Sequence, residues 1–365
     1  MVRICISFII PFSLGFLFSA KVAAQNSEAN YTDTLRYPEE KHFKNIRQLT
    51  FGGDNAEAYF SFDGKYVIFQ RMNPQQGIMC DQIWMGKIPE KPGETFTPKL
   101  VSTGTGRTTC SYFYPDGKHI LYASTHLTSK DCPPVPDKVK LKRYIWPVYE
   151  SYDIFEADTN GYIIRQLTDT KGYDAEATIS PKGDKVIFTS MRHGDLDLYT
   201  MDLDGKNVKQ ITNTLGYDGG AWFSPDGKKI VWRASRPKTK EEIEDYKNLL
   251  SQGLVAPTSM EVFVANADGS DAHQITFLDK ANWAPNFTPD GKHIIFCSNH
   301  EYARGFPFNM YLTDIKGKGL EKISRDKGFD AFPMFSPDGK KILFSSNRNN
   351  GGGQGINVFI ADWVE

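Results

Sequence analysis

The chain has 365 residues, 43 Lys+Arg against 44 Asp+Glu, and 40% hydrophobic content. That is ample for a large core, and so even a charge balance excludes the basic stripe expected of a nucleic-acid binder. The first 24 residues stand apart. Arg3 gives a positive start, residues 4–18 are almost wholly apolar, and Val22-Ala23-Ala24 offers small residues before Gln25. They read as a secretory signal peptide, too short for a spanning helix and excluded from the fold. Later stretches do not approach spanning length, so no membrane span is expected once the leader is removed. Residues 25–43 read as an N-terminal linker, and 44–365 as one repeat domain.

Six related phrases organise that domain: SFDGKYVIF from Ser61, YPDGKHILY from Tyr114, SPKGDKVIF from Ser180, SPDGKKIVW from Ser224, TPDGKHIIF from Thr288 and SPDGKKILF from Ser336. In each, a turn with Gly at the position needing positive φ leads into a run of strand formers. The unbroken apolar runs predict strands covered on both faces. A second strand with a central aromatic follows, as in DIFEAD from Asp153 and DLYTMD from Asp197. A tight turn and a short closing strand come next, as in RQLT from Arg165 and KQIT from Lys209. Segments such as GYDAEATIS and GYDGGAWFS then enter the next unit. The pattern predicts four antiparallel strands per unit and an all-β, six-bladed propeller. The sixth unit lacks a closing strand, whereas RQLT at 47–50 precedes the first phrase. The N-terminal strand is therefore expected to complete the last blade and cover both open edges.

The largest insertions, 125–152 and 236–260, fall between second and third strands, on the face where the inner strands are entered. The second predicts a helix, from Ile243, Tyr246, Leu249 and Leu250 at helical spacing and the stop signals Gly253 and Pro257. A loop-decorated face on a rigid scaffold is the expected binding face.

The S-P-D-G-K-x-I-x-F-x-S-x-R phrase, matched closely by SPDGKKILFSSNR at 336–348, resembles the β-propeller repeat of the TolB-like family. The likeness covers about 44–363 and is closest to stand-alone exported propellers of this type. The separate N-terminal domain that precedes the propeller in TolB is expected to be missing. The resemblance implies a non-catalytic binding or scaffold protein of the periplasm or cell surface, monomeric, with an envelope protein or glycan as partner.

Four cysteines follow the leader. Cys80, Cys110 and Cys132 are placed on the loop face, and one disulfide among them is expected in an exported protein. Cys110–Cys132 is the favoured pair and Cys80 the competing partner. Cys297 reads as a buried thiol. The segments entering the inner strands carry Asn55, Glu57, Arg107, Asp174, Glu176, Asp218, Asn282 and Asp330. Placed by the repeat, they form a largely acidic ring at the channel mouth. Such a ring needs a divalent cation, a basic group or water to separate its charges; the plainer reading is that each Asp caps its own turn. The S-x-R position holds Arg192, Arg236 and Arg348 but His126 and His300, which are placed at the rim. An alternative function follows from those histidines: a metal-assisted polysaccharide lyase or hydrolase, similar to oligogalacturonate lyase, whose propeller uses histidines around a metal. No G-x-S-x-G occurs, so a prolyl-oligopeptidase-type hydrolase is excluded. No cofactor is expected beyond a cation at the mouth.

Overall fold

The computed structural model describes residues 33–365 apart from 92, 137–141, 304 and 306; the predicted signal peptide lies outside the described residues. Six four-stranded antiparallel sheets are arranged as blades, each running from an inner to an outer strand. The inner strands are Asp54–Phe60, Thr108–Phe113, Asp174–Ile179, Asp218–Phe223, Asn282–Phe287 and Asp330–Phe335. The expected closure is present. Phe43–Gln48 pairs antiparallel with Asn357–Trp363, Phe43 opposite Trp363 and Gln48 opposite Phe359.

Each phrase builds the same local structure. Ser61 Oγ donates to Asp63 Oδ1 (2.6 Å), Gly64 N–H donates to Ser61 O (2.9 Å), and Gly64 takes φ +70°. The hydroxyl-to-carboxylate bond recurs at Ser224–Asp226, Thr288–Asp290 and Ser336–Asp338. The turn aspartates bond their own loops in this way, as short polar side chains do. The second strands that follow are buried on both faces, as at Val186–Ser190. The closing strands are mostly only two residues long, such as Lys209–Gln210. The Thr or Ser just beyond them continues the ladder with its hydroxyl. Thr168 Oγ1 accepts from Ile154 N–H (2.8 Å), Thr212 Oγ1 from Leu198, and Thr50 Oγ1 from Val358. That explains why RQLT and KQIT end in a hydroxyl residue.

The described part of the stretch read as linker, 33–43, is docked on the sixth blade. Glu40, fully buried, accepts from Arg348 (3.0 and 3.2 Å) and from Arg325 N–H (2.9 Å). The two insertions meet each other. The helix α1, Lys240–Leu250, begins with a capping box of Thr239 and Glu242 and buries Tyr246, Leu249 and Leu250. Beyond it, Leu254–Val255 pairs with Trp146–Pro147 of the first insertion. Arg143 clamps Asp245 with two bonds (2.8 and 2.9 Å), and Ile145 packs with Leu249 and Leu254. Insertions from blades two and four are thereby joined into one cap that bridges blade three. Among the described residues, no helix is long and apolar enough to cross a membrane.

Candidate functional site

Every inner strand carries a bulge at its middle, where its register with the second strand shifts. The bulged residues all take left-handed φ: Glu57 (52°), Cys110 (47°), Glu176 (57°), Gly220 (62°), Ala284 (48°) and Phe332 (55°). For residues with a Cβ this conformation costs on the order of 1 kcal/mol each. The bulge re-aims each side chain, and these six positions together line a cavity of about 30 Å³ on the channel axis. That is room for a water or two.

Glu176 and Arg233 dominate the cavity. Arg233 Nη2 donates to Glu176 Oε1 (2.7 Å) and to Tyr217 Oη (2.8 Å). Tyr217 Oη–H, Thr189 Oγ1–H (3.0 Å) and Gly220 N–H (2.7 Å) also donate to Glu176. Blade four makes room for this with two glycines where blade three has Ala175-Glu176. A Cβ on Gly219 would overlap Glu176 Oε2, and one on Gly220 would overlap Arg233 Nη1. Burial alone would lower the Arg233 pKa, but Glu176, Tyr217 and Glu57 hold it well above its ordinary value.

Among the described residues Glu57 has no ion pair. Cys110 Sγ–H donates to its Oε2 (3.2 Å), and burial pushes its carboxyl up to about 7 against that bond and the more distant pull of Arg233. Burial and the neighbouring carboxylates keep Cys110 a thiol. Ser111 Oγ and Arg233 Nε, both buried in the cavity wall, have no partner among the described residues.

Aromatic groups flank the cavity on both sides along the axis. On the loop side the Arg233 guanidinium lies under the ring of Trp146 from the cap (5.3 Å). Trp146 in turn packs on Trp283 (4.9 Å). Two residues further along the inner strands, Tyr59, Tyr112 and Trp222 meet edge to face across the axis, with centroids 4.9 to 6.2 Å apart. Beyond that aromatic layer the turn-side mouth is apolar, lined by Phe60, Phe62, Phe287 and Phe335.

Of the residues placed at the mouth from sequence, Glu57 and Glu176 share the cavity and the others do not. Asp174 pairs with Arg192 (3.2 Å), Asp218 with Arg236 (2.6 Å) and Asp330 with Arg348 (2.9 Å), each within its own blade. Arg107 pairs with Asp81 (2.6 Å). Asn55 bonds Gly52 O and Asn357, and Asn282 bonds Met260 O. His126 and His300 stand where Arg stands in other blades. Each Nδ1 meets the hydroxyl of the serine two residues before it (2.9 and 3.1 Å), and each ring packs on the third-strand aromatic, Phe155 or Tyr311, at 4.5 Å. Burial lowers both pKa values. These histidines belong to blades two and five, on opposite sides of the ring. Among the described residues no three His, Cys, Asp or Glu side chains gather as a metal-ligand group.

The favoured disulfide is corrected. The bond joins Cys80 to Cys132 (Cα–Cα 5.9 Å), and Cys110 is free. The bulge turns Cys110 towards the axis, away from the insertion, whereas Cys80 lies in the third strand Ile78–Lys87 beside it. Cys297 is fully buried, as expected, and burial pushes its thiol up to about 12. Arg233 and Tyr217 are residues of the candidate site that the repeat does not point to. Their one signal in the sequence is the Gly219-Gly220 pair, which breaks the Ala-Glu pattern of the preceding copy.

The sequence matches the TolB beta propeller domain family over residues 148–254 and 254–361, more than half of the chain. Among curated proteins none matches. A putative TolB from Agrobacterium tumefaciens has a similar structure, with 19% identity over 86% of this chain and 91% of that one, at a TM-score of 0.55. TolB from Acinetobacter baumannii is 20% identical over 83% of this chain and 64% of its own length, also at 0.55. An oligogalacturonate lyase in complex with manganese is 15% identical over 88% and 93%, at 0.47. At these identities the likeness concerns the fold.

Proposed function

Because the chain belongs to the TolB beta propeller domain family, we propose that it is an exported binding module of the cell envelope, engaging its partner through the capped loop face. The observation that carries this reading is the cap itself. Two insertions from non-adjacent blades converge, pair as strands and lock together through Arg143–Asp245, building a defined surface where the other blades have short connections. Ordered loops on a rigid scaffold are where recognition concentrates. The Cys80–Cys132 bond ties the first insertion to blade one and supports maturation in an oxidising compartment.

Two measurements test the proposal together. Mass spectrometry of the mature protein from fractionated cells is expected to find an envelope protein beginning at Gln25. Envelope material is then captured on the intact protein and on a variant whose residues 240–250 are replaced by a short Gly-Ser linker. Capture that depends on α1 while the propeller melts normally supports the reading. A cytoplasmic protein, or capture indifferent to the cap, overturns it.

A further inference from the structure

Beside the cap, where it meets blade five, lies an open groove of about 530 Å³, within the size range of small-molecule sites. Lys142 and Tyr144 come from the first insertion, Thr258 from the second, and Lys280, Trp283 and Asn299 from blade five. Among the described residues its charged lining is entirely basic. The Arg143 fork is occupied by Asp245. Lys142 is exposed, and among the described residues the half-buried Lys280 ammonium makes one long hydrogen bond, to Ala303 O (3.4 Å).

The walls are fixed before any ligand arrives. Trp283 donates its Nε1–H to Pro257 O (2.8 Å) and stacks between Tyr144 (6.1 Å) and Phe308 (4.4 Å). Asn299 accepts from Ala281 N–H (3.1 Å) and donates to Gly305 O (2.9 Å). A preformed site loses less conformational freedom on binding.

We propose that this groove binds a saccharide carrying an anionic group, a uronate carboxylate or a sugar phosphate. The chemistry is divided among the walls. Lys142 and Lys280 meet the anion as point charges, which do not require the planar geometry of an Arg fork. The aromatic wall led by Tyr144 takes the apolar C–H face of the ring, and Thr258 offers a hydroxyl. This deepens the reading of the capped face as the binding face and rests on it.

Calorimetric titration of the full mature protein with trigalacturonate, glucose 6-phosphate and maltotriose tests it. Binding of either anionic sugar with maltotriose at least tenfold weaker is expected, and which of the two binds identifies the anionic group. Lys142→Ala combined with Lys280→Ala is expected to weaken that binding at least tenfold with an unchanged melting temperature, and Tyr144→Ala by about threefold to tenfold. Equal binding of maltotriose, or undiminished affinity in the double-lysine variant, overturns the proposal. If no saccharide binds while envelope capture still depends on α1, the groove assignment falls and the proposed function stands. If both fail, both fall.

Discussion

Blades three, four and six hold a carboxylate and a guanidinium at the place where blades one, two and five hold neutral groups. In the first set the inner strand opens with Asp174, Asp218 or Asp330, and the second strand is followed by Arg192, Arg236 or Arg348. In the second set Asn55, Thr108 and Asn282 are matched with Asn73, His126 and His300. The exchange is paired: no blade keeps a buried Asp opposite a histidine. A buried charge is tolerated only beside its opposite, so losing the acid and losing the Arg go together. The histidines are therefore explained by blade construction, as neutral rings that keep the serine bond and the aromatic contact of the Arg they replace. The same contrast recurs on the axis, where Glu176 of blade three has Arg233 and Glu57 of blade one has a thiol.

The largest expected effect comes from breaking a charged set. Arg348→Met strands both Asp330 and Glu40, each fully buried, and should destabilise by about 3–5 kcal/mol in urea unfolding. A loss under about 1 kcal/mol would show that these pairs behave as surface ion pairs and that the contrast between blades carries no energy.

Next is Glu57→Gln. The folded pKa of Glu57, about 7, lies above the ordinary 4.5, so the folded protein holds the proton across that interval when the unfolded chain does not. Its contribution is thus fully favourable below about pH 4.5 and is lost as pH rises towards 7. The Gln variant should exceed wild type by roughly 3 kcal/mol at pH 8, with the advantage vanishing near pH 4.5. An advantage independent of pH would mean that a neighbour neutralises Glu57 as Arg233 does Glu176.

Transplanting the neutral pair into a charged blade sharpens the comparison further. Asp174→Asn and Arg192→His should each cost more alone than together, with a coupling of about 1–2 kcal/mol in a double-mutant cycle. Strict additivity would mean that the paired exchange is coincidental.

The smallest effect is expected at His126→Gln, below about 1 kcal/mol at pH 8. Because burial lowers the His126 pKa beneath 6.5, its contribution is complete above that value and declines as pH falls. Thermal melts at pH 8 and pH 5 should therefore show the variant losing less than wild type on acidification.

The blades and their closure are legible in the sequence because each rests on local chemistry repeated six times: a Gly at positive φ, a β-branched run, and a terminal hydroxyl that bonds the neighbouring strand. The Asp side chains of the turns are legible for the same reason. What the repeat conceals is direction. A bulge moves a side chain from one face of a strand to the other, and nothing at Cys110 announces one, so spacing places its thiol with the insertion rather than on the axis. The acidic ring dissolves similarly, since residues two apart along the inner strand divide between an intrablade pair, as Asp174, and the cavity, as Glu176. Arg233 reaches the axis only because Gly219 and Gly220 leave space in three dimensions. The groove at blade five joins three separate stretches of chain and has no linear signature.

The strand Phe43–Gln48 has its partner at Asn357–Trp363, which fixes an order of events during biogenesis. A protein made from its N-terminus presents that first strand long before the residues it pairs with exist. Blades one to five can assemble as they emerge, each from contiguous sequence, while Phe43, with its ring destined for Phe344, waits with its apolar face uncovered. The ring shuts in one late step, whose cost grows only slowly with the length of chain between the ends. Until then the unpaired edges at both termini are open to a chaperone or to another nascent copy. A chain cut short before Asn357 would leave Phe43–Gln48 without the strand it pairs with.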